Sequence, residues 1–232
     1  MAASDPTEGE RSGAARIDNF VDAAFAFAVT LLVIGDEAPP SDVASLMGAL
    51  TQAPGFAAGF ALIAMFWWAH RSYARVRPEG AVPLLVSLAI VFVVLVYVYP
   101  LRLFSDMFAS LINGAAQRGA GPVRSLEDMG TLYVVYGSGF AALSALYVVA
   151  LAHAAAKAEG AMRRSQAVEG VGIWIILTAS GLLSSGLALA LPLSAGAWAV
   201  AAPGMAYWLI PVGIGVLEAL RALTLRKARA HA

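Results

Sequence analysis

Residues 81–101 read AVPLLVSLAIVFVVLVYVYPL, a run without a single charged side chain. A helix needs about 20 such residues to cross the hydrocarbon layer of a bilayer. Hydrophobic residues make up 60% of the chain and charged residues only 13%, which is too apolar for a soluble domain of 232 residues. The sequence therefore predicts an integral membrane protein.

Six stretches, this one included, are long and apolar enough to span a membrane: residues 19–35, 53–70, 81–101, 131–153, 168–192 and 196–220. Their unbroken apolarity excludes a β-barrel, whose strands would alternate between polar and apolar residues. We therefore predict an all-α membrane protein with six transmembrane helices per subunit. The predicted organisation is a disordered cytoplasmic tail over 1–15, a six-helix transmembrane domain over 16–222 and a basic cytoplasmic tail over 223–232.

The distribution of charge predicts the orientation. The chain carries 15 basic and 15 acidic residues, so its formal net charge is zero and gives no reason to expect a nucleic acid as partner. With both termini in the cytoplasm, only Arg102, Arg118 and Arg124 lie outside, and every other basic residue lies inside. The positive-inside rule favours this arrangement, in which the lipid bilayer is the main partner.

Enzymatic chemistry has no signal in the sequence. The absence of cysteine excludes disulfides, thiolate metal sites and cysteine nucleophiles. No His-Glu-x-x-His, Gly-x-Ser-x-Gly, phosphate-binding or dinucleotide-binding motif is present, and His70, His153 and His231 are dispersed. We therefore predict no catalytic residues, no metal site and no cofactor, and we expect that the protein is not an enzyme.

Small residues mark the predicted contacts between helices. Gly55-x-x-x-Gly59, Gly137-x-Gly139 and the Ser and Gly residues over 180–186 lie inside three of the apolar stretches. Residues of this size let helix backbones approach closely where lipid supplies no hydrophobic drive. Their predicted role is packing.

The first apolar stretch opens with a charged motif, Arg-x-x-x-Phe-Val-Asp, from Arg16 to Asp22. An Asp at the centre of a membrane helix costs roughly 2.5–3.5 kcal/mol, so an acid there is usually kept for a partner or a function. At about 100° per residue, Asp22 lies about 140° around the helix from Phe27, whereas Phe27, Thr30 and Ile34 fall within about 60°. The helix thus has two different faces.

The partners of this motif are expected on neighbouring helices. Arg16 and Asp22 are about 120° apart, which is poor geometry for pairing within the helix. His70, at the inner end of the second span, is the obvious donor for Asp22, and Ser87 in the third span is the next candidate. The alternative is that Trp67 and His70 belong only to an interfacial aromatic belt.

The motif from Arg16 through Phe20 to Asp22 resembles the Arg-x-x-x-Phe-Ser-Asp signature of the transmembrane protein 175 family, which comprises lysosomal and bacterial potassium channels. Trp67-x-x-His70 resembles the family's Trp-x-x-His at the end of the second helix. The third span resembles the family's third helix, in which an Asn often stands at the position of Ser87. The resemblance implies four six-helix subunits around one pore that is lined by the first helices.

Carried over by position, the resemblance implies both a site and a function. The apolar constriction falls on Phe27, and the implied pore-lining residues are Phe27, Thr30, Leu31 and Ile34. The implied network that holds the pore helix consists of Arg16, Phe20, Asp22, Trp67, His70 and Ser87. The resemblance implies a potassium-permeable cation channel, a homotetramer in a bacterial plasma membrane, with K⁺ as the permeant ion rather than a cofactor.

Three departures from the family pattern leave alternatives open. Val21 stands where the family has Ser, Ser87 where it often has Asn, and Phe27 where it commonly has Ile or Leu. Four phenyl rings would close a narrow path more completely than four aliphatic side chains, and a hydrophobic neck conducts only when it widens enough to wet. The alternatives are a proton-coupled secondary transporter that titrates Asp22 and His70, and a membrane scaffold that does not conduct.

Overall fold

The structure, a computed structural model, describes residues 6–33, 40–114 and 122–230, and all regular structure in these ranges is helical. Its α-helices are α1 Pro6–Val33, α2 Val43–Leu50, α3 Ala53–Ala74, α4 Ala81–Ile112, α5 Leu126–Lys157, α6 Ala161–Ala190, α7 Ala197–Met205 and α8 Leu209–Ala230. Short 3₁₀ turns precede and follow α7, at Leu193–Ala195 and Ala206–Trp208. The all-α prediction is confirmed.

Within the described ranges, five segments are long and apolar enough to cross a membrane, in agreement with a multi-pass membrane protein. They are Ala53–Ala74, Ala81–Ile112, Leu126–Lys157, Ala161–Ala190 and Ala197–Thr224. They overlap the last five of the six predicted spans. Helix α1 is not among them, because its first half is rich in charged and small residues; its crossing of the membrane stays a prediction.

The chain divides into two compact units, Met1–Pro122 and Val123–Ala232, where the sequence predicted one six-helix domain over 16–222. The boundary falls in the connection between α4 and α5, which is rich in Gly and Ala and contains Pro122. Such a connection has no large apolar side chains to bury. Each unit therefore forms a core of its own.

In the first unit, α1, α3 and α4 pack against one another. Helix α4 has 32 residues and is about 48 Å long, well beyond the roughly 30 Å of a hydrocarbon layer. The centre of this core consists of large side chains from α3 and α4, namely Ile63, Phe66, Tyr73, Ile90, Val94, Tyr97 and Leu101.

Two glycines set the closest approach in this unit. Gly55 lies directly against the backbone carbonyl of Ser105. A Cβ on Gly59 would lie 2.5 Å from Ser105 Oγ and 2.8 Å from Leu32 Cδ2. The predicted packing role of Gly55-x-x-x-Gly59 is thus confirmed. Gly59 packs against Leu32 of α1 as well as against α4.

In the second unit, α5 and α6 lie side by side, and glycines again allow their backbones to approach closely. A Cβ on Gly181 would lie 2.7 Å from the carbonyl oxygen of Gly137. Further along the pair, the rings of Tyr147 and Trp174 stack with their centroids 4.5 Å apart. Small residues and stacked rings therefore hold α5 against α6.

Helical structure extends into both predicted tails. Helix α1 begins at Pro6, inside the segment 1–15 that was predicted to be disordered, and α8 continues to Ala230, inside the basic tail 223–232. Both segments contain Ala, Arg, Glu or Lys, which are strong helix formers and extend a helix that has already nucleated on apolar packing. Residues 1–5 and 231–232 lie outside the described residues.

The last apolar stretch is not one continuous helix. The predicted span 196–220 is interrupted by the 3₁₀ turn Ala206–Trp208 between α7 and α8. Pro203 and Pro211 lie on either side of that turn, and each removes a backbone donor from the helical ladder. The 3₁₀ turn accommodates this loss.

Helix α2 lies in the connection between α1 and α3, where the sequence predicted no separate helix. Asp42 caps it, because its carboxylate accepts a 2.7 Å hydrogen bond from the backbone N–H of Ser45. The hydrogen bonds from the Ser45 backbone and hydroxyl hold the pKa of Asp42 below its usual value.

Candidate functional site

One face of α1 is buried in the first unit. Val21, Phe25, Ala28 and Leu32 follow one another at intervals of four, three and four residues, and all four are buried. This spacing keeps side chains on one side of a helix, here the side that packs on α3 and α4. Val21, the departure from the family's Ser, is 0% exposed and belongs to this apolar face.

The opposite face of α1 is open. Arg16, Phe20, Ala23, Phe27 and Thr30 recur at intervals of four, three, four and three residues, and all five are exposed. Phe27 keeps 55% of its accessible surface although it lies in the apolar part of the helix. The stripe therefore carries two phenyl rings, Phe20 and Phe27, between Arg16 at one end and Thr30 at the other.

Thr30 and Leu31, which were also predicted to line the pore, differ in their position relative to the exposed stripe. The Thr30 hydroxyl donates to the carbonyl of Ala26 at 3.0 Å, so it is held against its own helix. Leu31 is half-buried and lies on the flank of the stripe. Ile34 lies outside the described residues.

Asp22 joins α1 to α3. The Trp67 indole N–H donates to Oδ1 of Asp22 at 2.8 Å, and the Arg71 guanidinium donates to Oδ2 at 3.3 Å. The Arg71 guanidinium also lies 5.8 Å from the centre of the Trp67 ring, a cation–π distance. A partner from the second span was predicted for Asp22; the structure supplies Trp67 and Arg71.

A second acid makes a parallel contact that the sequence reasoning missed. The Arg77 guanidinium donates to Oδ1 of Asp18 at 2.7 Å, and the Arg77 side chain is only 8% exposed. The available signal was the spacing of Asp18 and Asp22, four residues apart on one face, opposite a short loop that contains three arginines. Asp18 and Asp22 are thus each paired with an arginine at the end of α3 or just after it.

The expectation that His70 donates to Asp22 is not met. His70 is buried, and neither of its ring nitrogens has a hydrogen-bond partner in the described part of the chain. Its ring lies 6.0 Å from that of Tyr73 in an edge-to-face arrangement, so the side chain is turned into the core. The reason is the helical spacing, since Trp67 and Arg71 lie one turn apart on the side that faces α1.

Ser87 also lies within the core rather than in the Asp22 contact. It is fully buried on α4, and its hydroxyl has no hydrogen-bond partner among the described residues. Arg16 and Phe20, the remaining members of the predicted network, lie on the exposed stripe. The structure therefore brings Asp22 and Trp67 together and directs Arg16 and Phe20 to the other face.

No group of three or more His, Asp or Glu residues that could hold a metal ion exists among residues 6–33, 40–114 and 122–230. The polar groups of α1 are instead divided between two tasks. Asp18 and Asp22 fasten the helix, and the exposed stripe presents Arg16, Phe27 and Thr30. Such a stripe can line a water-filled path if several copies of the helix surround it.

Residues 16–100 match the family model of the endosomal/lysosomal potassium channel TMEM175. A protein of Marivirga tractuosa named "Potassium channel" is 33% identical to this chain over 100 residues, which is 43% of this chain and 40% of that relative's length. The family model therefore matches residues within the first unit, and the alignment with the Marivirga protein spans less than half of that relative's length.

The likeness of fold extends further. A crystal structure of a variant of the potassium channel MtTMEM175, in complex with a Nanobody–MBP fusion protein, aligns with 89% of this chain and 93% of its own, with a TM-score of 0.76 and 23% sequence identity. Residues 16–100 are thus similar to the TMEM175 family, and the chain as a whole shares the fold of the MtTMEM175 structure.

Proposed function

We propose that this protein is a subunit of a potassium-permeable cation channel and that the exposed stripe of α1 lines the conduction path, with Phe27 at its constriction. The names of its relatives support the permeant ion, because each is described as a potassium channel. The exposure of this chain's own side chains supports the position of the path.

The observation that carries the proposal is a contrast between two exposed helix faces of the first unit. The open face of α4 is apolar throughout its length, with exposed side chains at Leu85, Leu88, Phe92, Val96 and Tyr99. A face of this composition suits lipid.

The open face of α1 has a different composition. Its exposed side chains include Arg16, Asn19 and Thr30 together with the small residue Ala23. Polar and ionisable side chains on a membrane helix almost always face a bundle interior or a water-filled cavity. The α1 face is therefore the one suited to a path for ions.

A single α1 stripe cannot enclose a path, so copies of the chain must assemble around a common axis. We propose a homotetramer in the plasma membrane, with six spans in each subunit and both termini cytoplasmic. The tetramer rests on the family resemblance, and the orientation on the excess of basic residues in the inner segments. Asp18 and Asp22 then hold each pore helix to its own subunit through Arg77 and Arg71.

Phe27 supplies the barrier. Four phenyl rings around a narrow axis would exclude water, and the free energy of dewetting would oppose the passage of a hydrated ion. Truncation to Ala would remove the rings while leaving the buried face of α1 untouched, because Phe27 is exposed. The path would then wet more easily.

The test is potassium flux from liposomes that contain the purified protein. We expect flux above that of empty liposomes and a several-fold increase with Phe27→Ala. Phe92→Ala is the matched control, since Phe92 is a Phe on the lipid-suited face of α4 and is 68% exposed; it should leave flux unchanged. A folded tetramer in which neither the original chain nor Phe27→Ala conducts would instead indicate a scaffold.

A further inference from the structure

We propose that Arg16 is a second functional position on the α1 stripe: its guanidinium faces the conduction path on the cytoplasmic side of Phe27 and limits the entry of cations from that side. This inference rests on the proposed function. It assigns Arg16 to the conduction path rather than to the network that holds the pore helix.

The geometry of α1 puts Arg16 and Phe27 on one line. The two residues are eleven positions apart, which amounts to about 20° around the helix and about 16 Å along it. Phe20 and Ala23 fill the stripe between them, and all four residues are exposed. Any axis that Phe27 faces is therefore also faced by Arg16, about three turns nearer the cytoplasm.

The charge of Arg16 is not neutralised within the described residues. Asp18 and Asp22 lie on the other side of α1, where Asp18 is bonded to Arg77 and Asp22 to Arg71. None of the hydrogen bonds or ion pairs found among the described residues involves Arg16. Each subunit of the proposed tetramer would thus contribute one full positive charge to the inner mouth.

An uncompensated ring of guanidinium groups lowers the local concentration of cations. Clefts that carry charge of one sign change the concentration of ions near them, and the effect extends over a Debye length of about 10 Å at ~0.1 M salt. Potassium that leaves the cytoplasm meets this ring before the constriction, whereas potassium that enters meets it afterwards. Outward current should therefore be smaller than inward current, and the asymmetry should disappear in high salt.

Single-channel recording in planar bilayers tests this with charge variants of Arg16. In about 50 mM K⁺, Arg16→Gln should raise the outward unitary current about twofold or more, Arg16→Glu should raise it further, and Arg16→Lys should leave it unchanged. In about 500 mM K⁺ the differences should shrink. Arg75→Gln is the control, because Arg75 is an exposed arginine at the end of α3 and not on the α1 stripe.

A second measurement changes the charge after folding. The chain contains no cysteine, so Arg16→Cys can be modified alone. A negatively charged methanethiosulfonate should increase outward current, and a positively charged one of similar size should decrease it. Modification of Arg75→Cys should do neither.

Unitary currents that are identical across all Arg16 variants, in a protein that conducts potassium, would overturn the inference and leave the proposed function intact. The same holds if Arg16→Gln alters only tetramer stability or the dependence on anionic lipid, which would make Arg16 an anchor. An absence of conduction in the original chain and in Phe27→Ala would overturn both.

Discussion

Asp22 is the residue whose role the structure defines most closely. It accepts one hydrogen bond from a neutral indole and one from a guanidinium, and the two donors differ in their exposure to solvent. Arg71 is 52% exposed, so water screens its charge, whereas the bond from Trp67 is partly buried. The indole bond should therefore contribute more to stability than the ion pair does.

This contrast predicts an order of effects. Asp22→Ala should lower the free energy of unfolding by about 1–3 kcal/mol, because it leaves the Trp67 N–H without an acceptor. Arg71→Gln should lower it by about 0–1 kcal/mol, as exposed ion pairs do. Thermal unfolding in detergent, followed by tryptophan fluorescence, measures both. A larger loss for Arg71→Gln than for Asp22→Ala would contradict the assignment.

The sequence allowed part of this site to be predicted. The angle between Asp22 and Phe27 separates a fastening face from an open face, and a partner for Asp22 on the second span follows from that separation. The identity of the partner does not follow, because His70, Trp67 and Arg71 lie within four residues of one another. Only the rotation of α3 about its axis decides which of them faces α1, and core packing fixes that rotation.

At the scale of the helices, glycine has the same packing role in both units, because the missing Cβ lets two helix backbones approach closely. Gly55 and Gly59 let α3 approach Ser105 of α4, and Gly137 and Gly181 let α5 approach α6. These contacts could be predicted because small residues in apolar runs have few other uses. The breaks and ends of helices could not, since they depend on local proline geometry and on how far a nucleated helix extends.

Gly55→Ala should destabilise the first unit. The added Cβ would collide with the backbone of Ser105, which cannot rotate away as a side chain can. We expect a loss of about 1–3 kcal/mol and a lower melting temperature. Gly48→Ala is the matched control in α2, where a Cβ would meet nothing within 4 Å. Equal melting temperatures for the two variants would argue against a close contact between α3 and α4.

The second unit allows the same comparison within one helix. Gly181→Ala should destabilise by about 1–3 kcal/mol, because its Cβ would lie 2.7 Å from the Gly137 carbonyl oxygen. Gly186→Ala, also in α6, meets nothing within 4 Å and should be neutral or slightly stabilising, since Ala favours helix more than Gly does. The difference in melting temperature between the two variants is the quantity to measure, and a difference of zero would be the contrary result.

At the scale of the whole molecule, the six-span arrangement depends on whether α1 crosses the membrane. In the part of the chain that the structure describes, five segments qualify as spans by length and apolarity, and α1 carries charged residues in its first half. Its buried apolar face and the paired acids Asp18 and Asp22 support a helix held within the first unit.

Cysteine labelling tests whether α1 crosses the membrane. The chain has no native cysteine, so the label reacts only with the introduced residue. Gly13→Cys lies near the start of α1 with open space around it, and Ser41→Cys lies exposed beyond its end. We expect a membrane-impermeant maleimide to label position 41 from outside intact cells and position 13 only after permeabilisation. Labelling of both positions from the same side would mean that α1 does not cross.

Cysteine block of the current tests whether the open stripe of α1 faces the conduction path. Phe27→Cys places one thiol on the exposed α1 stripe, and Phe92→Cys places one on the apolar face of α4. A bulky charged methanethiosulfonate should reduce the potassium current of Phe27→Cys to near zero and leave that of Phe92→Cys unchanged. Block at position 92 without block at position 27 would contradict the claim.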